Sequence, residues 1–245
     1  MSDSQAKVYP LTRKVAAHGL AASLIAGFSG WKLSGLFGLS EWAPALAAAV
    51  VVVTLLAAEP ARRHAGSTRF GPANRITLAR SILVGAVAAF LGSPGGEVQA
   101  VWVTGAATLA LAMDGMDGWV ARRTGIESDY GASLDMELDS LLMLILSLLA
   151  WQWGLAGIWV LFCGLARYGF LIAGKTWPWF DRPLPPAFRR KTCCVIGIGG
   201  LTACMWPWPW SGLGTTLAAT ATLALAVSFT IDTYWLIQRR KEPVQ

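Results

Sequence analysis

Charge is scarce in this sequence: only 14% of its 245 residues are Asp, Glu, Lys or Arg, against 55% hydrophobic side chains. Soluble domains carry about a quarter charged residues, so the chain is too apolar for that class, and no stretch of it reads as a separate soluble domain. Histidine is nearly absent, and His18 and His64 stand alone. The four cysteines, Cys163, Cys193, Cys194 and Cys204, lie in or beside apolar runs, with no CxxC or Cys/His spacing. That pattern gives no support for a zinc site and leaves the cysteines as small apolar packers. No internal repeat marks an inverted-repeat transporter. No convincing cleavage site follows the basic stretch Lys7, Arg13, Lys14, so the apolar run from Val15 reads as a retained helix rather than a signal peptide.

What the sequence has instead is a series of long apolar runs. A bilayer core of about 30 Å needs roughly 20 helical residues. On that rule the expected spans are Val15–Trp31, Trp42–Ala58, Ile76–Leu91, Val98–Val120, Ala132–Trp151, Leu155–Gly174, Thr192–Met205 and Gly212–Ile237. The fold class expected is therefore an all-α integral membrane protein. Thirteen tryptophans agree with it, because indole rings settle at the membrane–water boundary. The turn Gly92-Ser93-Pro94-Gly95-Gly96 and the run Trp206-Pro207-Trp208-Pro209-Trp210 suit the outer interface.

The net charge is +6, but its cations come in short clusters between apolar runs, which argues against nucleic acid as a partner. They occupy every second connection: Arg62, Arg63, Arg69 and Arg75; Arg122 and Arg123; Lys175, Arg182, Arg189, Arg190 and Lys191; and Arg239, Arg240 and Lys241. Lys32 is the clear exception. The positive-inside rule makes that side cytoplasmic, with both termini on it. The expected location is a bacterial inner (plasma) membrane.

Against this apolar background the carboxylates stand out. Asp114 and Asp117 are three apart and share a helix face, while Gly131, Asp135 and Asp139 step by four along the next span. The short connection between them makes the two helices antiparallel neighbours, so four carboxylates converge at one mouth of the pair. Each aspartate within a span costs a few kcal/mol, and clustered anions repel. Two divalent cations, Mg²⁺ or Mn²⁺, would compensate them, with phosphate oxygens completing the shell. Gly118, Ala121 and Gly131 leave room for a nucleotide or a second helix to approach the backbone, and Arg122 is placed to pair with phosphate.

These residues fit the pattern D-x-x-D-G-x-x-A-R, eight residues, then G-x-x-x-D-x-x-x-D, with every fixed position filled: Asp114, Asp117, Gly118, Ala121, Arg122, Gly131, Asp135 and Asp139. The chain thereby resembles the CDP-alcohol phosphotransferase family. A second stretch, Asn74-Arg-Ile-Thr77-Leu-Ala-Arg80, is similar to the N-x-x-T-x-x-R that often opens that family's first core helix. The resemblance implies a six-helix transferase core over residues 72–245, preceded by an N-terminal extension, residues 1–71, with about two extra transmembrane helices. It further implies that Asp114, Asp117, Asp135 and Asp139 ligate the metals, with Asp139 also the general base. Asn74, Thr77, Gly118, Arg122 and Ser128 would contact the CDP moiety, and a homodimer is expected.

The reaction so implied is transfer of a phosphatidyl group from CDP-diacylglycerol, or a related CDP-lipid, to the hydroxyl of a small alcohol, with release of CMP. Arg167 lies inside a span: paired with a carboxylate it would be structural, and facing the cavity it would bind an anionic acceptor such as a phosphorylated alcohol, with uncharged and zwitterionic acceptors also open. After Asp135 the chain reads Met136-Glu137-Leu138, which departs from the Pro, small residue and Lys of glycerolphosphate transferases. The same motif also serves transfer of a phospho-alcohol from a soluble CDP-alcohol to diacylglycerol. An ion-coupled transporter is the rival from another class, but it needs ionisable groups near the midplane, and these aspartates fall near one end of their spans.

Overall fold

The structure is a computed structural model that describes residues 13–64, 72–124, 129–177, 179–180, 182, 184–185, 187–210 and 212–240. Side chains are described for these residues except 13–14, 61–64, 72–73, 116–124 and 129. Among the described residues there are eight α-helices and no strand. They are α1 (Arg13–Phe37), α2 (Ala43–His64), α3 (Pro72–Ala88), α4 (Glu97–Thr124), α5 (Asp129–Gln152), α6 (Leu161–Thr176), α7 (Phe188–Met205) and α8 (Leu213–Gln238). Each overlaps one of the apolar runs, so the all-α membrane architecture is what forms. Four segments are long and apolar enough to cross a membrane by length and composition: Val15–Phe37, Ala43–Pro60, Ile158–Thr176 and Leu213–Gln238. Of the other helices, α3 has only 17 residues, while α5 and α7 open on charged side chains.

α1 and α2 run six residues beyond the expected ends, to Phe37 and His64, α3 and α7 begin four residues early, and two further differences lie in turns. The helix expected from Leu155 begins at Leu161, because Gly154 adopts φ +69° and Ile158–Val160 forms a single 3-10 turn. A left-handed φ of that kind suits glycine, which has no Cβ to clash. The helix expected to run to Leu91 ends at Ala88, where a Ser93 to Phe90 backbone hydrogen bond already closes a turn.

The chain divides into two compact units, Met1–Ala89 with Leu109–Asp139 and Phe90–Thr108 with Ser140–Gln245. In the first, α1 packs against α2 and α3, and α2 against α3. The contact is made by small residues. Ala22, Ala26, Ala47 and Val51 form a buried cluster, covered by Leu55, Leu78 and Ile82. Gly30 lies against the backbone of Ala43 and Pro44, and Gly85 against that of Ala47. Hydrocarbon tails are as apolar as leucine, so close backbone approach, rather than exclusion of water, is what holds such helices together. A second cluster, Ala58 with Tyr130 and Leu134, seats the start of α5 on α2.

In the second unit α8 packs against α7 and α6. Gly197 sits beneath Leu225 and Met143, and Gly164 against Leu144 and Ser147. The connections are tied by side chains whose polar atoms satisfy exposed backbone groups. Gln152 accepts from Gly92 N at 2.8 Å and donates to Ser93 O at 2.5 Å, and Trp153 Nε1 donates to the same carbonyl at 3.1 Å.

The tight α2–α3 crossing makes a specific prediction. A Cβ at Gly85 would stand 2.6 Å from the Ala47 carbonyl oxygen, so Gly85→Val must push the helices apart. Overpacking of this kind costs about 1–3 kcal/mol. Thermal unfolding in detergent should show a lowered midpoint for Gly85→Val and none for Gly105→Val, whose Cβ meets nothing within 4 Å.

Candidate active site

The site is built in the first unit from three helices. On α5, Leu134, Leu138 and Leu142 repeat every four residues and are essentially fully buried. That apolar stripe fixes the rotation of the helix, and Asp135 and Asp139, one position later in the same four-residue step, share an adjacent stripe. Their side chains keep 36% and 18% exposure. Asp114 on α4 keeps 27%. The three carboxylates each offer an oxygen, and these oxygens lie within 4.8 Å of one another.

The third helix contributes a cation. Asn74, Thr77, Arg80 and Ser81 follow helical spacing on α3, and all are buried. The Arg80 guanidinium, with no exposed side-chain surface, places Nη1 2.8 Å from Asp114 Oδ1 and 2.5 Å from Asp135 Oδ1. Its Nη2 pairs with Asp139 Oδ1. One planar fork thus engages three carboxylates on two helices, the geometry for which arginine rather than lysine is suited. One guanidinium against three carboxylates leaves a formal excess of two negative charges. A divalent cation matches that excess.

The donor set fits such an ion. Mg²⁺ takes oxygen ligands at about 2.0–2.1 Å, so opposite ligands in its shell stand about 4 Å apart. Carboxylate oxygens already within 4.8 Å can be gathered onto one centre by side-chain adjustment. Asp114, Asp135 and Asp139 are the residues that would hold it. A second feature points to a bound molecule: Asn74 Nδ2 is buried with no hydrogen-bond partner among the described residues. A buried unsatisfied amide is costly, and a ligand's acceptor oxygen would satisfy it.

Of the residues singled out from sequence, the structure brings Asp114, Asp135 and Asp139 together, and it buries Asn74 and Thr77 on the helix that carries Arg80. Asp117, Gly118 and Arg122 belong to α4, but their side chains are outside the described residues, as is the whole of Ser128. Arg167 lies in α6, in the second unit. Glu137 is buried on α5. Arg189, one of the cations of a basic connection, is engaged inside its own unit: it donates to Asp232 Oδ1 at 2.6 Å and to Ser228 at 2.6 and 2.7 Å. Sequence reasoning gave Arg80 only a place in a motif. The available signal was its position inside an apolar run, the same signal that drew attention to Arg167.

Comparison with protein families matches residues 70–231, well over half of the chain, to the family described as CDP-alcohol phosphatidyltransferase. No curated protein and no solved structure matches the chain.

Loss of one carboxylate from the cluster should be visible without any enzymatic assay. Asp135→Asn is expected to weaken Mn²⁺ binding by at least ~100-fold, beyond what loss of an outer-shell partner produces. Asp232→Asn, in the Arg189 pair of the other unit, should leave it unchanged. Titration followed by the electron paramagnetic resonance of free Mn²⁺ reads both.

Proposed function

The chain belongs to the CDP-alcohol phosphatidyltransferase family, and from that premise we propose that it moves a phosphatidyl group from CDP-diacylglycerol, or a related CDP-lipid, to the hydroxyl of a small alcohol, releasing CMP. The family's members are transferases of substituted phosphate groups, so the reaction class is set by membership. The substrates are our reading. The observation that carries it is the cluster of Asp114, Asp135 and Asp139, with a buried Asn74 Nδ2 on the helix of Arg80 that has no hydrogen-bond partner among the described residues.

In this reading Asp139 takes the proton of the acceptor hydroxyl as its oxygen bonds to the lipid-bearing phosphorus. The bridging P–O bond of the pyrophosphate then breaks, with its electron pair leaving on CMP, and the proton passes to solvent. A positioned carboxylate of this kind contributes about 10²–10⁴-fold. Asn74 and Thr77 on α3, with Gly118, Arg122 and Ser128 from the motif, would bind and orient the CDP group. Asp114, Asp117, Asp135 and Asp139 would hold two Mg²⁺ or Mn²⁺ ions, which supply charge neutralisation for the pyrophosphate and the leaving phosphate. In-line attack requires an acceptor hydroxyl beside Asp139, and the charge of Arg167 within a span makes an anionic acceptor our reading. With Arg189 engaged by Asp232, the case for a phosphorylated acceptor rests mainly on Arg167.

The same chemistry run with a soluble CDP-alcohol and diacylglycerol is the second reading. The family covers both directions, and one assay separates them. We place the protein in the bacterial inner (plasma) membrane, with site and termini cytoplasmic, on the strength of the alternating basic connections. We assign it to phospholipid biosynthesis as a homodimer, with residues 1–71 an N-terminal extension to a transferase domain over 72–245.

Purified protein in detergent, given CDP-diacylglycerol, Mg²⁺ and a panel of alcohols, should release CMP with at least one acceptor and lose that release in excess EDTA. Asp139→Asn should lower the rate by about 10²-fold or more while leaving the unfolding midpoint within a few degrees. Release only from a soluble CDP-alcohol with diacylglycerol would establish the second reading. Undiminished turnover by Asp139→Asn would exclude the base.

A further inference from the structure

Arg80 occupies an unusual position for a side chain near a metal site. Its guanidinium is fully buried and makes ion pairs with Asp114, Asp135 and Asp139, the three carboxylates whose oxygens cluster closely enough to share one ion. A divalent ion on those carboxylates would stand a few ångströms from the guanidinium, and like charges at that range repel. The arginine therefore has to be either a fixed support that stays beside the ion or an occupant that gives way to it.

We propose that Arg80 is a resident counter-cation of the aspartate site, holding Asp114, Asp135 and Asp139 together until a divalent ion displaces it. The inference rests on the metal-binding reading of that site. Two observations favour displacement over fixed support. First, among the described residues the two terminal nitrogens of the fork engage an oxygen of all three carboxylates at once, so the ion meets the guanidinium at each of them. Second, Asp135 and Asp139 need little help in staying aligned with each other, being one turn apart on α5, whose rotation is fixed by the buried Leu134, Leu138 and Leu142. What they need without an ion is neutralisation, since unpaired charges in such surroundings are strongly unfavourable.

Displacement also gives the arginine a second position. Once off the carboxylates it remains tethered to α3, one to two turns from Asn74 and Thr77. A guanidinium there carries planar donors suited to a phosphate. Binding of the ion would then free Asp139 and supply a phosphate-binding cation in one movement, so that the site acquires its donor-binding charge only when the ion is present.

Competition and support predict opposite signs for removal of the charge. Mn²⁺ binding is measured by electron paramagnetic resonance on detergent-purified full-length protein, wild type, Arg80→Gln and Arg80→Lys, with thermal unfolding in EDTA and in saturating Mn²⁺ alongside. Under competition Arg80→Gln binds Mn²⁺ at least about tenfold more tightly than wild type. It also unfolds at lower temperature in EDTA and recovers most of that difference in Mn²⁺. Arg80→Lys, whose compact ammonium cannot span three carboxylates, falls between the two and serves if the glutamine variant does not fold. Equal or weaker Mn²⁺ binding by the folded variants would overturn the proposal and make Arg80 a fixed support. Failure of wild-type protein to bind Mn²⁺ at all would instead remove the metal reading of the site, and this inference with it.

Discussion

The contact between one buried guanidinium and three carboxylates is the constraint from which the rest of the first unit follows. Asp114, Asp135 and Asp139 come from helices separated by a motif loop, and Arg80 from a helix earlier still. Packing alone would not bring such groups into an apolar interior, because each desolvated charge opposes folding unless it is paired. Pairing therefore has to be satisfied by helix placement, and α3, α4 and α5 are held where their charges meet. The excess of negative charge that remains leaves the cluster able to take a cation, which a closed salt bridge could not.

The N-terminal helices acquire a physical role from the same constraint. α1 and α2 pack on α3 through Ala, Gly and Val, and the end of α2 seats Tyr130 and Leu134 at the start of α5. They thus support both the helix that carries Arg80 and the helix that carries Asp135 and Asp139. The family match begins at residue 70, so these two helices lie outside it. Their small-residue contacts nevertheless extend to the elements that bear the site.

Much of the architecture was legible in the sequence because its signals are strong and local. Apolar runs of helical length marked all eight helices, and Asp114, Asp135 and Asp139 were marked by spacing and by their cost in an apolar setting. Less legible were features made by residues far apart in the chain. Arg80 meets partners 34 to 59 positions away, and nothing in its neighbourhood says which carboxylates it meets. Arg189 stands in a basic connection that marks only the side of the membrane, yet Asp232, 43 residues on, engages it. The turn at Gly154 shortened α6 because a glycine's φ is decided by the connection it closes, whereas hydropathy reports only that the region is apolar. Charges inside spans are thus easy to notice, and their partners are set by tertiary packing.

The central claim is that Asp114, Asp135 and Asp139 form a divalent-cation site whose charge is partly offset by Arg80 until the ion arrives. The most direct measurement is anomalous diffraction from crystals of the protein grown with Mn²⁺. The account predicts an anomalous peak within coordination distance of all three carboxylates, with the Arg80 guanidinium no longer paired to them. A peak elsewhere, with Arg80 still bridging the three aspartates, would contradict it.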